Sequence, residues 1–370
     1  MEPEVLLRMP APIVSVSASL WACVAAGPPA PSDVEGATGE DYFAMTFTPE
    51  QGLGPLFNGA SCLSCHSDPT PGGMAPEDGL EEVLRIGFLD QSFDDLDGRG
   101  GPVARAHSVS ELGAHCDLRP GVPANANVVS VRNSPPLYGL GAIDALDDAD
   151  ILRAGVDNQG FPNLAKGPDG TERVARFGWK ADSADLERFV AEAFRNELGL
   201  TNPMFPEDLI PQGTEHLDSC DGHLGQVEAS AETIRLVTDY LAGLPAPEPL
   251  ADLDRLPGST VFAEIGCASC HVPVLGQDDT AIALYSDLLL HDLGPSLDDG
   301  FVQGQAEGPH WRTTPLWGLR FRQRLLHDGR ADNLDDAITA HGGEAAPSVT
   351  AFLELDESER AALLDFLNHL

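Results

Sequence analysis

Cys267-Ala-Ser-Cys270-His271, with its counterpart Cys62-Leu-Ser-Cys65-His66 in the first half of the chain, decides how this sequence is read. Two thiols three positions apart, followed at once by an imidazole, suit thioether bonds to both vinyl arms of a haem, with the histidine turned under the ring onto the iron. Two such pentapeptides imply two covalently bound haems of the c type. Cys62 and Cys65 would hold one, with His66 as iron ligand; Cys267 and Cys270 would hold the other, with His271. A zinc ribbon would place its second Cys-x-x-Cys within roughly 15–20 residues of the first, far less than the separation here. A thioredoxin-like pair would end a strand in a βαβ pattern, which the sequence does not show, and neither rival needs a histidine after both pairs.

With 370 residues there is room for two ordinary domains and a large buried core. Aromatic residues make up only 6%, whereas Gly (38) and Pro (30) are abundant, so long loops have to pack around something other than an aromatic core. Two haems would fill that role. Asp and Glu number 59 against 21 Lys and Arg, a formal net charge of −38. That balance excludes nucleic acid as a natural partner, because phosphate binding needs basic clusters that are missing. It would steer a soluble partner bearing a positive patch, or simply keep the surface solvated. Of the seven cysteines, four belong to the haem motifs and Cys23 sits in an N-terminal apolar stretch. Cys116 and Cys220 remain, either as a disulfide, which a periplasmic protein permits, or as two unrelated buried thiols.

The chain reads as mainly α, two tandem class I cytochrome c-like haem domains with long loops. Residues 1–47 form a leader and linker. Within them, residues 11–26 are too short to span a membrane and resemble the apolar region of a secretion signal. Leu20-Trp21-Ala22-Cys23 is similar to a lipoprotein cleavage box, so a lipid anchor at Cys23 is the one membrane attachment the sequence suggests, with Gly27-Pro28-Pro29-Ala30-Pro31 as tether. Export to the periplasm is implied independently, since attachment of c-type haem is completed outside the cytoplasm. The first domain, 48–244, is expected to open where Gly52-Leu53-Gly54-Pro55-Leu56-Phe57 leads into Cys62 like a short helix. It should close with an amphipathic helix from about Ser230 to Ala242, with Ile234, Val237 and Leu241 on one face. Leu244-Pro245-Ala246-Pro247-Glu248-Pro249 cannot continue that helix and reads as the linker. The second domain, 255–370, repeats the plan: Val261-Phe262-Ala263-Glu264 leads into Cys267. A last helix from Asp356, with Glu359 in capping-box register, buries Leu363, Phe366, Leu367 and Leu370. The run from Arg132 through Pro135-Pro136-Leu137-Tyr138-Gly139-Leu140 echoes Arg312 through Pro315-Leu316-Trp317-Gly318-Leu319, as duplication of one haem-binding unit would produce.

Two corresponding helices differ in chemistry. On a wheel of ~100° per residue starting at Leu186, Phe189, Val190, Ala193, Phe194 and also Glu197 share one apolar face. A carboxylate there is costly unless it is protonated, paired or functional; the alternative is a helix that frays before Gly199 and lets Glu197 reach water. In the second half Leu334, Ala337, Ile338 and His341 share a face, and His341 stands where the first copy has Ala193. One can ligate iron and the other cannot. The C-terminal haem is therefore expected to be six-coordinate through His271 and His341, and the N-terminal haem on His66 to keep an open face. His341 is equally compatible with a satisfied core histidine, and His291, in Leu290-His291-Asp292-Leu293-Gly294, is the rival ligand.

Taken together, these motifs resemble the bacterial di-haem oxidoreductases, a branch of the di-haem cytochrome c peroxidase superfamily, over about residues 48–370. Besides both haem motifs, the likeness rests on Arg132-Asn133-Ser134-Pro135-Pro136-Leu137, Arg176-Phe177-Gly178-Trp179-Lys180-Ala181, Asn196-Glu197-Leu198-Gly199, His327-Asp328-Gly329-Arg330-Ala331 and His341-Gly342-Gly343-Glu344-Ala345, in family order. The resemblance implies that Glu197, at the glutamate of the family's Glu-Met-Gly element, is the distal acid of the open haem. It also implies that Trp179 lies between the haems, and that Arg132 and His327 help to bind them. His341 falls where peroxidase relatives place a methionine ligand, and histidine there would lower the potential of that haem. Phe189 stands where relatives often carry a glutamine.

Relatives also hold a calcium between their domains; carboxylates and loop carbonyls here could bind one, although no calcium loop stands out. Some are described as thiol oxidoreductases, yet outside the haem motifs no Cys-x-x-Cys remains. The activity implied is reduction of hydrogen peroxide at the His66 side. Glu197 would move the proton, and electrons would come from a small redox protein, a cytochrome c or a cupredoxin, through the second haem and Trp179. Trp179 as an ordinary core residue stays open. Two other readings remain at this point: a di-haem electron carrier without substrate, and an oxidase of a partner protein or organic substrate, as the tryptophylquinone-forming relatives are.

Overall fold

Each half of the molecule is closed by one helix crossing another at a glycine. In this computed structural model, which describes residues 30–76, 82–97, 99–156, 158–210, 217, 220–221 and 225–370, helix Gly39–Ala44 packs across helix Ala231–Ala242. The leader, Cys23 and most of the proposed tether fall outside the described residues. A Cβ on Gly39 would lie 2.0 Å from the Leu236 carbonyl oxygen, and one turn later Phe43 meets the Tyr240 ring at 5.4 Å. Helix Pro257–Glu264 crosses helix Glu357–Leu367 in the same way. A Cβ on Gly258 would lie 2.0 Å from the Ala362 carbonyl oxygen, and Phe262 meets Phe366 at 5.4 Å. In both pairs the four-residue step from glycine to phenylalanine keeps the two on one helical face.

Both late helices form where the sequence puts them. Ser230 caps the first through a Thr233 N–H to Oγ bond of 3.1 Å, and Ile234, Val237 and Leu241 are buried. Asp356 and Glu359 form the capping box of the second, which buries Leu363, Phe366 and Leu367. The approach to Cys62 differs from expectation. Pro49–Gln51 is a single 3₁₀ turn ended by Gly52 at φ 95°, and Leu56–Phe57 is a strand paired with His107–Ser108. The helix packed on Ala231–Ala242 lies further upstream, ahead of residue 48.

Helix outweighs strand, 33% against 15%. Even so, a four-stranded antiparallel sheet that the sequence reading lacked builds one wall of the first half. Its central strand Val83–Leu89 pairs with Phe93–Asp94, Val103–Ala104 and Val128–Arg132. The register sets Val83 opposite Arg132 and Arg85 opposite Ser130, so these four share one face.

The halves are not separate bodies. The largest apolar core takes Phe43, Leu186 and Val237 from the first and Leu284, Leu288 and Trp317 from the second. The echoed segments clasp each other: a Cβ on Gly139 would lie 2.4 Å from the Trp317 ring, and one on Gly318 2.5 Å from Tyr138 Oη. Both glycines have positive φ, 77° and 64°, so each is required twice over, for its turn and for the ring lying on it. Cys116 and Cys220 are joined in a disulfide beside Leu118, Ile210 and Leu217, which settles the two alternatives left by the sequence.

Gly258→Ala is expected to lower stability by about 1–3 kcal/mol, because the new methyl has only backbone to push against. Chemical unfolding of the haem-loaded protein checks this; an unchanged midpoint would mean that the helices separate at no cost.

Candidate functional site

The two pentapeptides stand on the walls of two large cavities. The first is lined by Cys62, Cys65 and His66 together with Phe43, Val190 and Leu241. The second is lined by Cys267, Cys270 and His271 with Phe262, Leu316 and Leu363. Trp179 is the one residue, among those described, that lines both. Its indole Nε1 donates to the Asn133 carbonyl at 2.9 Å, and its own carbonyl accepts from the Arg312 N–H at 3.0 Å.

None of the four motif cysteines is in a disulfide. Burial pushes the Cys62 thiol up to about 12 and Cys267 up to about 11. A redox Cys-x-x-Cys needs the opposite shift, towards thiolate, so these pairs are poorly built for thiol exchange. The adjacent imidazoles are also tuned in one direction. Burial pushes His66 and His271 down to about 4, which keeps them neutral, as an iron ligand must be.

Each candidate ligand imidazole has Nδ1 bound to a backbone carbonyl, which fixes the tautomer and leaves Nε2 as the basic nitrogen. His66 Nδ1 donates to Gly73 at 3.2 Å, His271 Nδ1 to Tyr285 at 3.0 Å, and His341 Nδ1 to Ala337 at 2.7 Å. His341 lies one residue past helix Leu334–Ala340, as its C-cap with extended backbone. Its ring bonds back to one of the carbonyls that a helix end leaves unpaired. It lines the second cavity with His271.

His291 lines that cavity too, but both its nitrogens are taken: Nε2 by Asp287 at 2.9 Å and Nδ1 by Glu344 at 2.7 Å. Burial alone would push this imidazole down. The hydrogen bond and charge of Asp287, with the Cys270 sulfur alongside, push it up to about 11 instead. His291 is thus held between two carboxylates, which favour its charged form.

Glu197 lines the first cavity, and the way it gets there differs from the wheel. Helix Leu186–Ala193, capped by Asp185, does not fray; it widens into a π turn at Phe194–Leu198 that ends at Gly199, φ 71°. The Gly199 N–H reaches back five residues to the Phe194 carbonyl. Buried Arg105 takes the carbonyls of Arg195 (3.1 Å) and Asn196 (3.1 Å). Asn58 Nδ2 donates to Glu197 Oε2 at 2.7 Å, and the Asn58 N–H to the Glu197 carbonyl at 2.7 Å. The carboxylate is therefore held from two remote segments. Phe189 lines the same cavity, stacked on Phe177 at 5.7 Å. A second acid there, Glu192, was missed by the sequence reading; its carboxyl is pushed up by burial and then by Asp182. Its neighbours are Asn196 Nδ2 at 3.3 Å and Arg85 at 3.9 Å.

Arg132 lines the first cavity from the end of its strand and pairs with Asp299 at 2.6 Å, while its Nη2 is buried without a partner. Arg312 and Arg322 line the second cavity, and neither has an ion pair among the described residues. The Nε of Arg322 is likewise buried and unpaired. Cationic donors left over at the edge of apolar cavities are what the propionate carboxylates of a haem would satisfy. His327 also lines the second cavity, stacked on Trp311 at 3.6 Å and pushed by burial down to about 3. Attachment cysteines, neutral imidazoles and spare arginines all fit two haems. Among the described residues there is no group of three or more His, Cys, Asp or Glu that could hold a metal ion.

Fold and site thus define a protein with two haem-sized cavities meeting at one indole. The chain belongs to the family described as "Di-haem oxidoreductase, putative peroxidase", which it matches over residues 122–370. No curated protein matches it. Among solved structures it is similar to a MauG-like protein associated with microbial copper homeostasis, 17% identical over 95% of each chain, TM-score 0.41. It is also similar to the di-haem peroxidase BthA of Burkholderia thailandensis E264, 17% identical over 88% of this chain and 76% of that one, TM-score 0.38. A third is hydrazine synthase of Kuenenia stuttgartiensis, 15% identical over 98% and 100%, TM-score 0.39. The likeness to these structures is distant, and the site is read from its own geometry.

The His291 clamp has a pH signature. An imidazolium held above the ordinary 6.5 by Asp287 stabilises fully below pH 6.5, and loses that contribution as pH rises through its folded value. The stability gap between the haem-loaded protein and its His291→Gln variant should narrow above pH 6.5, by at most about 1.4 kcal/mol per pH unit. Denaturant unfolding between pH 6 and 9, at values set by the buffers, measures it; a constant gap would mean a neutral imidazole.

Proposed function

We propose that this protein is a c-type di-haem peroxidase that reduces hydrogen peroxide to water in the first cavity, with electrons supplied from the second. The observation that carries the reading is the inequality of the two cavities. Among the described residues lining the first, His66 is the only histidine, and no methionine or lysine accompanies it, whereas Glu197 and Asn58 stand there. The second has His271 and His341, each oriented by a carbonyl. Two cytochrome c-like units, each attached through its Cys-x-x-Cys, would hold the haems, with His66 ligating the first and His271 and His341 the second. Arg132 and Arg322 would meet their propionates.

Haem held by Cys62, Cys65 and His66 would supply the iron chemistry for cleaving the oxygen–oxygen bond, and haem held by Cys267, Cys270 and His271 would supply electrons. The protein supplies the rest. Glu197 takes a proton from one peroxide oxygen and returns it to the other, so that the second leaves as water. Asn58, fixed through its own backbone, holds the Glu197 Oε2 atom in place for both transfers. Phe189 and Phe194 line that cavity and limit bulk water around the reacting group. Trp179, the one described residue lining both cavities, would carry the electron between them. Overall, two electrons and two protons convert one peroxide to two waters.

The donor would be a small redox protein with a basic face, matching the net charge of −38. Covalent haem requires export, so the proposed location is the periplasm, with attachment to a lipid at Cys23 as the leader suggests. No helix among the described residues is long and apolar enough to cross a membrane.

Glu197→Gln should cut peroxide turnover by about 10²–10⁴-fold while both haems remain attached, as a lost proton carrier requires. His341→Ala should remove one low-spin signal from the electron paramagnetic resonance spectrum and leave the other haem unchanged. Full turnover in the first variant would refute the proton role. Two six-coordinate low-spin irons in oxidised and half-reduced protein would replace the enzyme with an electron carrier.

A further inference from the structure

Lys180 follows Trp179, the residue lining both cavities, and its side chain is wholly buried. The ammonium donates to three backbone carbonyls, Glu307 at 2.7 Å, Gly308 at 2.8 Å and His310 at 3.1 Å, and stands 3.2 Å from Asp299 Oδ1. Four oxygens, three of them carbonyls from one loop, surround a single point. An ammonium has three hydrogens to offer, one fewer than the acceptors present. Carbonyls and a carboxylate converging in this way are the donor set of a hard cation such as calcium. The cage is built independently of its occupant: Asp299 is fixed by Arg132 at 2.6 Å and Ser130 at 2.6 Å, and the carbonyl loop leads into strand His310–Arg312.

The lysine is equally fixed. Its own carbonyl accepts from Asn163 Nδ2 at 2.9 Å, and Ala181 follows with a left-handed φ of 48°, which turns the chain sharply behind it. We propose that Lys180 is a tethered cation occupying a metal-type oxygen site between the two halves, so that this protein holds no calcium there. The calcium implied by the family resemblance does not fit these residues, because the oxygens that would receive it already hold an ammonium. The charge balance differs as a result. Lys180 and Arg132 against Asp299 leave one net positive charge on the faces of Trp311, where Lys180 Nζ lies 4.1 Å from the ring centre and Arg132 4.5 Å. A divalent ion in place of the lysine would leave two.

The experiment uses the haem-loaded protein and reads metal content and thermal unfolding, so it is independent of peroxide turnover. Wild type dialysed against a chelator should contain no stoichiometric calcium, and its unfolding midpoint and haem spectrum should not change when calcium is returned. Lys180→Ala empties the cage. Its midpoint should fall in chelator and climb on titration with calcium or potassium chloride, saturating at one ion per chain. The proposal is overturned if wild type carries one calcium per chain whose removal lowers its midpoint. It is also overturned if Lys180→Ala, purified with both haems, is indifferent to calcium, potassium, sodium and magnesium. Should that variant not accumulate, the wild-type arm decides alone.

Discussion

A chain with few large side chains cannot fill two spaces of this size by itself, and everything else in the molecule follows from that. On the reading proposed above, the side chains lining the cavities would gain their full burial against a flat apolar haem placed between them. Each Cys-x-x-Cys-His would then act as a packing device as well as a chemical one. The helices cross at Gly39 and Gly258, so close that no Cβ is tolerated, because a wider crossing would move the cavity wall away from what it must touch.

The two halves share a wall through their echoed segments. The clasp of Tyr138-Gly139 with Trp317-Gly318 joins corresponding positions of those segments, each ring lying on the other's glycine. An isologous contact of this kind is what two identical subunits make across a two-fold axis. Here both partners are on one chain, and the two halves differ in what they bring to the cavities. One copy ends its helix in a histidine that caps its own last turn; the other runs on through a π turn and presents a carboxylate.

The sequence made the two Cys-x-x-Cys-His motifs, both closing helices with their caps and the echoed segments legible, because each is a local signal of spacing or periodicity. Three things were not. The sheet around Val83–Leu89 was hidden because its residues, Val-Leu-Arg-Ile-Gly-Phe-Leu, do not alternate cleanly between apolar and polar, and its partners are two to five residues long. The first helix, Gly39–Ala44, has six residues, too few for a periodic pattern. His291 was the rival to His341 as a ligand, since a histidine's neighbours in space decide its role. The structure adds Asp287 and Glu344, 4 and 53 residues away, on its two nitrogens.

Glu197 shows the same limit from the opposite side, because the wheel gave a correct face for an incorrect reason. A regular helix would have paired the Gly199 N–H with the Arg195 carbonyl. In the π turn that N–H goes to Phe194, and the Arg195 carbonyl is released to Arg105. The widened turn is stable only because a buried guanidinium, 90 residues distant, accepts the task of satisfying it. Asn58, 139 residues distant, then locks the carboxylate that the turn exposes. The acid's position is thus set by the convergence of three segments rather than by its own helix. A group held from three segments is pre-positioned, and the proton carrier proposed above, which would have to meet both oxygens of one small substrate, would need that more than any particular pKa.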